Sequence, residues 1–442
     1  MNSLIDFLAF DDPGVRAVSF GAMLLGIGAA VVGCFTFLRK RALVGDAVAH
    51  AVLPGVCLAF ILVDVTSALG WTDISPKHPL ALIAGAFVSS WISLRLIDFI
   101  SAKSRIKEDT AIGLVLSVFF GIGILLLTLI QHGSSREKAG LDSILFGRIA
   151  ALTAGDVLLF GAVATVLVVI TLMLYKEFQL MSFDEEFAIV TGLPVRRLEL
   201  TLTTLTVLAV IVAIQAVGVV MTAAILITPP AAARYWTERL TVMIFLAALF
   251  GALAGLTGAY ASFTAPRAPT GPWIVIVLTG FAVLSVLFAP RRGALARLLR
   301  QRRNAGRIRQ ENILKALFHL GEQDDDFYAA RSSADIQARR PMESSVLRRG
   351  LDQLRRHGYV KRDNDAWSLT AEGRMRGARI TRLHRLWEVY LTQYVGIAPD
   401  HVHDDAETIE HILTPELEHE LEALLDHPQI DPHARVIPQK HG

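Results

Sequence analysis

Cysteine is nearly missing from this chain: Cys34 and Cys57 are the whole complement of 442 residues, and both fall inside apolar runs. A disulfide framework is therefore excluded as the basis of the fold. No G-x-x-x-x-G-K-[ST] loop occurs, so the sequence has no phosphate cradle of that kind. The amino terminus lacks a basic n-region, and no cleavable signal peptide is expected. Net charge is only +2, which provides no global field to attract nucleic acid. Charge is also scarce early in the chain, where residues 1–290 hold 36 of the 84 charged side chains and three of the 13 histidines.

What those 290 residues have instead is long apolar runs. Hydrophobic residues make up 53% of the chain and its mean hydropathy is +0.47, too apolar for an ordinary soluble protein. Runs long enough to cross a hydrocarbon core of about 30 Å lie near 15–37, 46–65, 79–101, 109–131, 156–175, 240–262 and 271–289. The stretch 199–236 is too long for one straight span and contains Gly218, Pro229 and Pro230. It reads as two short spans or a broken pair, which is tolerated where helices line an enclosed cavity. The total is eight or nine. Arg39, Lys40 and Arg41 follow the first span, Lys103, Arg105 and Lys107 follow the third, and Arg196 and Arg197 precede the sixth. The amino-terminal segment carries Asp6, Asp11 and Asp12 instead. The positive-inside rule then puts the amino terminus outside and the carboxyl terminus in the cytoplasm, which favours nine spans.

Beyond residue 290 the solvent changes to water, since the remaining 48 charged side chains and ten histidines sit in about half the length. Residues 291–309 carry eight arginines and no acidic residue. Such a run after a final span suits a cytoplasmic anchor on anionic lipid headgroups; a nucleic-acid arm is the other reading.

Two segments of the apolar part carry chemistry. Residues 39–55 read RKRALVGDAVAHAVLPG and place Asp46 and His50 four apart, one turn above the other on a helix. Ionisable groups at membrane depth are costly and usually face a cavity or pathway, and a carboxylate with an imidazole suits a first-row divalent metal. Alternatively, Asp46 caps the helix at the interface and His50 packs between helices. Residues 182–198, SFDEEFAIVTGLPVRRL, form a short amphipathic segment, acidic first, stopped by Gly192 and Pro194. Docking into a partner and an ordinary interfacial loop are both compatible with it.

The stretches ALVGDAVAHAVLPG, KEDTAIGLVLSVFFGIGILL (107–126), DEEFAIVTGLP (184–194) and QAVGVVMTAAILITPPAAAR (215–234) occur in order, and together they resemble the metal-type ABC transporter permeases. The likeness covers nearly all of 15–290. It implies that Asp46 and His50 match the family's intramembrane metal-coordinating pair and that Asp109 matches a family aspartate, although a helix N-cap would use Asp109 equally well. It further implies that 184–194 is the helix coupled to an ABC ATPase subunit, with Asp184, Glu185, Glu186, Gly192 and Pro194 at the contact. ATP hydrolysis would then belong to another polypeptide. An extracytoplasmic metal-binding protein would deliver cargo, and a second permease copy or a sister permease would complete the pore.

In the polar part, residues 310–322 form an amphipathic helix, with shorter helices around 333–339 and 342–357, the last ended by Gly358. YVKR and AWSL are two short strands joined by Asp363, Asn364 and Asp365. This pattern is a winged helix-turn-helix, whose third helix, bearing Arg348, Arg349, Arg355 and Arg356, can enter a major groove. Those arginines equally suit the solvated face of a protein-interaction module. Further on, RLHRLWEVYL carries His384 and Glu388, and HVHDDAETIEHIL carries His403, Glu407, Glu410 and His411. Spacings of i, i+4, i+7 and i+8 fall within about 100° of one helix face. Two imidazoles and two carboxylates there favour Mn²⁺, Fe²⁺ or Zn²⁺ over Ca²⁺ or Mg²⁺; a charged, exposed helix is the plain alternative.

AWSLTAEGR, RLHRLWEVYL, HVHDDAETIEHILTPELEHEL and LDHPQIDPH resemble the diphtheria-toxin-repressor-like metalloregulators. The resemblance implies that His384, Glu388, His403, Glu407, Glu410 and His411 stand at ligand positions, with glutamate at 407 tilting the sensor toward manganese. It also implies a ligand from the first helix. Glu311 is the only match there, and Leu314 stands where manganese-type members have an acidic residue. The expected fold is an all-α polytopic membrane domain (1–290), a basic juxtamembrane linker (291–309), a winged-helix domain (310–375) and a helical metal-binding and dimerisation domain (376–442). The expected function is the permease of a divalent-metal importer, manganese preferred, with a cytoplasmic sensor that regulates transport. The competing reading is a membrane-tethered, metal-dependent DNA-binding regulator. A chelate cargo is disfavoured, since two bare ligands do not make a roomy pocket.

Overall fold

The structure, a computed structural model, describes residues 7, 9–41, 43–70, 78–132, 152–265, 269–397 and 415–439. The chain divides into two compact units, Met1–Arg297 and Leu298–Gly442.

The first unit is helical among its described residues. Its elements are α1 (Pro13–Leu38), α2 (Val44–Ala68), α3 (Pro79–Lys103), α4 (Glu108–His132), α5 (Ala154–Met173), the short α6 (Tyr175–Phe183) and α7 (Glu185–Val190), then α8 (Val195–Val217), α9 (Val219–Trp236), α10 (Leu240–Thr264) and α11 (Thr270–Phe288). Eight helices among the described residues are long and apolar enough to cross a membrane, all except α6, α7 and α9. Large side chains such as Leu62, Leu158 and Phe245 are exposed at their flanks. Helices apolar on every side, with every internal backbone group paired within the helix, are what a hydrocarbon solvent demands.

The long apolar stretch resolves into a broken pair. Gly218 has φ 85°, ending α8 and starting α9, a conformation that side chains with a Cβ disfavour. The helix that follows has 18 residues with Pro229 and Pro230 inside it, about 27 Å of rise, so it nearly matches the hydrocarbon thickness. With α9 counted, there are nine apolar helices in this unit among the described residues.

Small residues let backbones touch. A Cβ on Gly55 of α2 would lie 2.2 Å from the carbonyl oxygen of Gly85 in α3, and one on Gly85 would lie 2.4 Å from that of Gly55. Ser89 then donates a hydrogen bond to the carbonyl of Ala51 at 2.7 Å, and Ser90 one to Val48 at 3.4 Å. Close approach over small residues with a polar side chain as glue is the usual way helices adhere in lipid.

In the second unit, α12 (Ala294–Asp324), β1 (Arg331–Ser332), α13 (Ser333–Arg339), α14 (Ser344–Arg356), β2 (Val360–Asp363), β3 (Ala366–Leu369) and α15 (Ala371–Tyr390) are followed by a π-helical turn, Leu391–Val395, and α16 (Pro415–Leu424). The sheet is antiparallel in the order β1-β3-β2, with Val360 opposite Leu369 and Asp363 opposite Ala366. Asn364, at φ 52°, makes the tight turn, as asparagine tolerates the left-handed region. Ile313, Leu317, Ile336, Leu347, Leu351, Leu354, Trp367 and Leu369 form one core. Leu386, Val389, Leu421, Leu425 and Ile437 form a smaller one. The winged-helix pattern is present, with two additions. The basic run is helical from Ala294, continuous with the helix expected from 310, because arginine is a good helix former. Strand β1 is only two residues long, too short to leave a periodic trace.

Candidate metal path and sensing site

Asp46 lies in the first turn of α2 and His50 one turn later, with His50 Nε2 3.5 Å from Asp46 Oδ1. Their side chains are 37% and 18% exposed. On the same stripe of α2, Leu53 and Cys57 are fully buried, whereas Leu58, Leu62, Val65 and Leu69 are exposed. At 100° per residue the exposed set is centred roughly 110° around the helix from the pair, so Asp46 and His50 face protein and not acyl chains. The imidazole meets the Phe120 ring of α4 edge-on, with centroids 4.8 Å apart. Its Nδ1 is buried and has no hydrogen-bond partner among the described residues. Pro54, inside α2, has no N–H to give to the carbonyl of His50. An anionic oxygen, an imidazole with an orphaned nitrogen and a freed carbonyl are therefore grouped within one turn, a donor set that suits a divalent cation.

Asp109 is the second residue of α4, exposed in its acidic first turn. There it favours the helix dipole, and among the described residues it shares no hydrogen bond or ion pair with Asp46 or His50. The segment 184–194 folds as expected. Asp184 caps α7 by accepting a hydrogen bond from the Phe187 N–H at 2.9 Å, Gly192 at φ 83° ends the turn, and Pro194 leads into α8. Ala188 is buried, while Glu185, Glu186, Phe187, Ile189 and Val190 are exposed. The tip of this six-residue helix thus shows apolar side chains among carboxylates.

In the second unit, His384 and Glu388 face one another on α15. His384 Nε2 lies 3.0 Å from Glu388 Oε1, and both side chains are almost fully buried. His433 adds a third group, with Nε2 3.9 Å from the same oxygen. It is positioned through Asp431, whose Oδ1 accepts hydrogen bonds from the backbone N–H groups of His433 and Arg435. Asp431 in turn lies 3.4 Å from Arg385, which forms a two-pronged pair with Glu322 at 2.9 and 2.7 Å. His403, Glu407, Glu410 and His411 lie outside the described residues. Glu311 is buried and accepts a hydrogen bond from Arg376 at 2.9 Å, and Leu314 is buried in the apolar core. A buried imidazole beside a buried carboxylate is a donor pair of the kind transition metals accept.

One neighbour was not legible as a site residue. His319 accepts at Nδ1 from Arg339 (3.1 Å), and its Nε2 is buried without a partner among the described residues. Burial, reinforced by Lys315, Arg339, Arg385 and His384, holds its pKa down at about 2. Between pH 2 and about 6.5 the unfolded chain binds a proton that the folded chain refuses, so stability falls as pH drops below about 6.5. Thermal unfolding of the metal-free protein at pH 7.5 and pH 5 is expected to show this loss. In His319→Gln the loss should be smaller, and an identical pH profile would refute the assignment.

A family model described as the ABC 3 transport family matches residues 12–289. The chain belongs to that family. A second model, the metal binding and dimerisation domain of the iron dependent repressors, matches residues 370–439. Among relatives of this ABC 3 family member is the manganese transport system membrane protein MntC of Bacillus subtilis (strain 168), 37% identical over 89% of this chain and 87% of its own length. The zinc transport system membrane protein TroC of Treponema pallidum is 41% identical over 66% of this chain and 95% of its own. A solved structure, PsaBC from Streptococcus pneumoniae in complex with Fab, matches with a TM-score of 0.57 at 32% identity, covering 68% of this chain and 99% of that one. The ABC 3 family member is thus a multi-pass membrane transport protein, not an enzyme, carrying a metalloregulator-type domain after its helices. The structure brings together Asp46 with His50 and His384 with Glu388. Asp109, in the first turn of α4, shares no hydrogen bond or ion pair with Asp46 or His50 among the described residues. His433 lies within LDHPQIDPH, and its signal was the proline–histidine ending of that stretch.

Proposed function

We propose that this protein is the inner-membrane permease subunit of an importer for divalent transition metals, manganese first, with zinc and iron as possible competitors. Its carboxyl-terminal domain would lie in the cytoplasm, sense the same metal and restrain transport when supply is adequate. The observation that carries the reading is the Asp46–His50 pair, turned from lipid into the helix bundle with an imidazole nitrogen that has no partner among the described residues. The names of the manganese and zinc relatives support the cargo class. ATP would be hydrolysed by a separate ATPase chain docked on 184–194, an extracytoplasmic protein would hand over the ion, and a second copy or sister permease would close the pore.

A second reading, metal-dependent DNA binding, is favoured by one observation: Arg348, Arg349, Arg355 and Arg356 are all exposed on α14, the helix that a winged-helix domain offers to a major groove. Uptake of labelled Mn²⁺ by cells expressing the whole transporter, with unlabelled Mn²⁺, Zn²⁺ or Fe²⁺ as competitor, tests the first reading. Self-competition by Mn²⁺ at the lowest concentration is expected, together with weaker feedback at high internal metal after residues 300–442 are removed. Uptake no greater than in cells lacking the transporter would overturn the transport reading. Salt-sensitive, metal-dependent DNA binding with feedback unchanged would favour the second.

A further inference from the structure

Arg39 and Arg41 satisfy the positive-inside pattern, but the structure gives them a more specific occupation. Both lie in the turn between α1 and α2, where Lys40 adopts φ 59°, a left-handed conformation unusual for a residue with a long side chain. The side chain of Arg39 is only 9% exposed and that of Arg41 27%. Neither is simply a solvated cation at a membrane surface.

Their partners come from five other elements. Arg39 reaches Glu185 of α7 at 3.1 Å and Glu199 of α8 at 3.4 Å, and its other terminal nitrogen contacts the Met181 sulfur of α6 at 3.2 Å. Arg41 reaches the same Glu199 oxygen at 2.9 Å, Glu108 at the start of α4 at 2.9 Å, and Asp98 near the end of α3 at 3.8 Å. A single chain of ion pairs therefore runs Glu185–Arg39–Glu199–Arg41 and then forks to Glu108 and Asp98. A cavity of about 30 Å³, lined by Thr36, Arg39, Arg41, Asp98, Glu108 and Glu199 among others, lies within it, room for about one water.

Two features make this chain a transmitter as well as a clamp. Four carboxylates share two guanidinium groups, so the acids are held close together only while both arginines stay in place. Glu199 is also common to both arginines, so a displacement of Arg39 changes the partner set of Arg41. One end of the chain is Glu185, on the exposed tip of α7. At the other end Arg41, just ahead of α2, grips α3 and α4, and α2 carries Asp46 five residues further on. Ion pairs of this kind are individually weak when exposed, yet an acid shared by two arginines links their pairings, so a shift at one end changes what the other end can hold.

We propose that Arg39 and Arg41 are positioning residues for transport, forming an ion-pair relay that couples movement of the docking tip at Glu185 to opening of the cytoplasmic end of the metal path. The proposal rests on the reading of 184–194 as the ATPase contact. When the docked ATPase shifts α7, Arg39 exchanges Glu185 for fuller pairing with Glu199, Arg41 loosens its hold on Glu199, and the acids of α3, α4 and α8 are freed to separate.

The test uses the complete complex in proteoliposomes and measures metal imported per ATP hydrolysed. This ratio responds to coupling, whereas a merely structural loss would lower import and hydrolysis together or prevent assembly. In Arg39→Gln and in Glu185→Gln, import per ATP is expected to fall about tenfold while the complex still assembles. The double variant Arg39→Glu with Glu185→Arg should recover most of the ratio. An unchanged ratio in both single variants, or failure of the charge exchange to restore it in an assembled complex, would overturn the relay. Cross-linking from Val190→Cys, which is 83% exposed in the parent residue, to the ATPase separates the two claims. A cross-link with an unchanged ratio rejects the relay alone, while absence of a cross-link rejects the docking assignment and the relay with it.

Discussion

Metal uptake by Asp46→Ala is expected to fall to a small fraction of the parent rate, with the protein still present in the membrane at ordinary levels. A dehydrated divalent ion needs a fixed negative charge where water is excluded. At about 4 Å and an effective dielectric constant near 20, one unit charge on the carboxylate is worth about 4 kcal/mol for each unit on the ion. Asp46 is 37% exposed, and solvent screening reduces that figure, so a loss of roughly a hundredfold is the reasonable scale. Asp46→Asn, which keeps the shape and removes the charge, should be nearly as impaired. His50→Ala should lose less, because it removes a neutral donor. The Phe120 ring beside it leaves no obvious polar substitute. Initial rates of labelled Mn²⁺ entry, normalised to permease content by immunoblot, give the answer. A parent-like rate in Asp46→Ala would remove this pair from the path.

The second large effect is expected in the polar unit. Arg385 is 3% exposed and faces Glu322 and Asp431, the latter 1% exposed. Removing one member of a buried ion-paired group strands its partners and costs about 3–5 kcal/mol. Arg385→Leu should therefore raise the open population of this domain on the order of a hundredfold or more. Limited proteolysis of the full-length protein in detergent would report it as accelerated cleavage between 310 and 439, with the helices of the first unit unaffected. Equal cleavage rates in parent and variant would show that the carboxylates find other partners. Because Asp431 also holds the backbone at His433, the same change should weaken metal-dependent protection of the domain.

The membrane helices were legible because each is a long apolar run, a signal that needs no knowledge of neighbours. The α7 segment was legible for a similar local reason: an aspartate cap, a short apolar set and a glycine stop lie within eleven residues. The break at Gly218 was foreseen only as one of two options, since composition does not say whether an over-long stretch bends or parts. Pairings across the chain are a different matter. Arg39 meets Glu185 across 146 positions, and no periodicity encodes such a meeting. Glu311 shows the same limit from the other side. Its position suggested a ligand, and in space it also pairs with Arg376 at 2.9 Å, a meeting across 65 positions that no local pattern announces. His384 and Glu388 were easier, because four residues on a helix fix their proximity whatever the rest of the fold does.

The main-chain contact between Gly55 and Gly85 has a mechanical corollary. Two helices joined atom to atom along their backbones, with serine hydroxyls tying one to the carbonyls of the other, cannot shear past each other without steric collision. Such a pair is expected to move as one plank, the aspartate–histidine pair with it, and any rocking of the bundle would then pivot along seams where only side chains interlock.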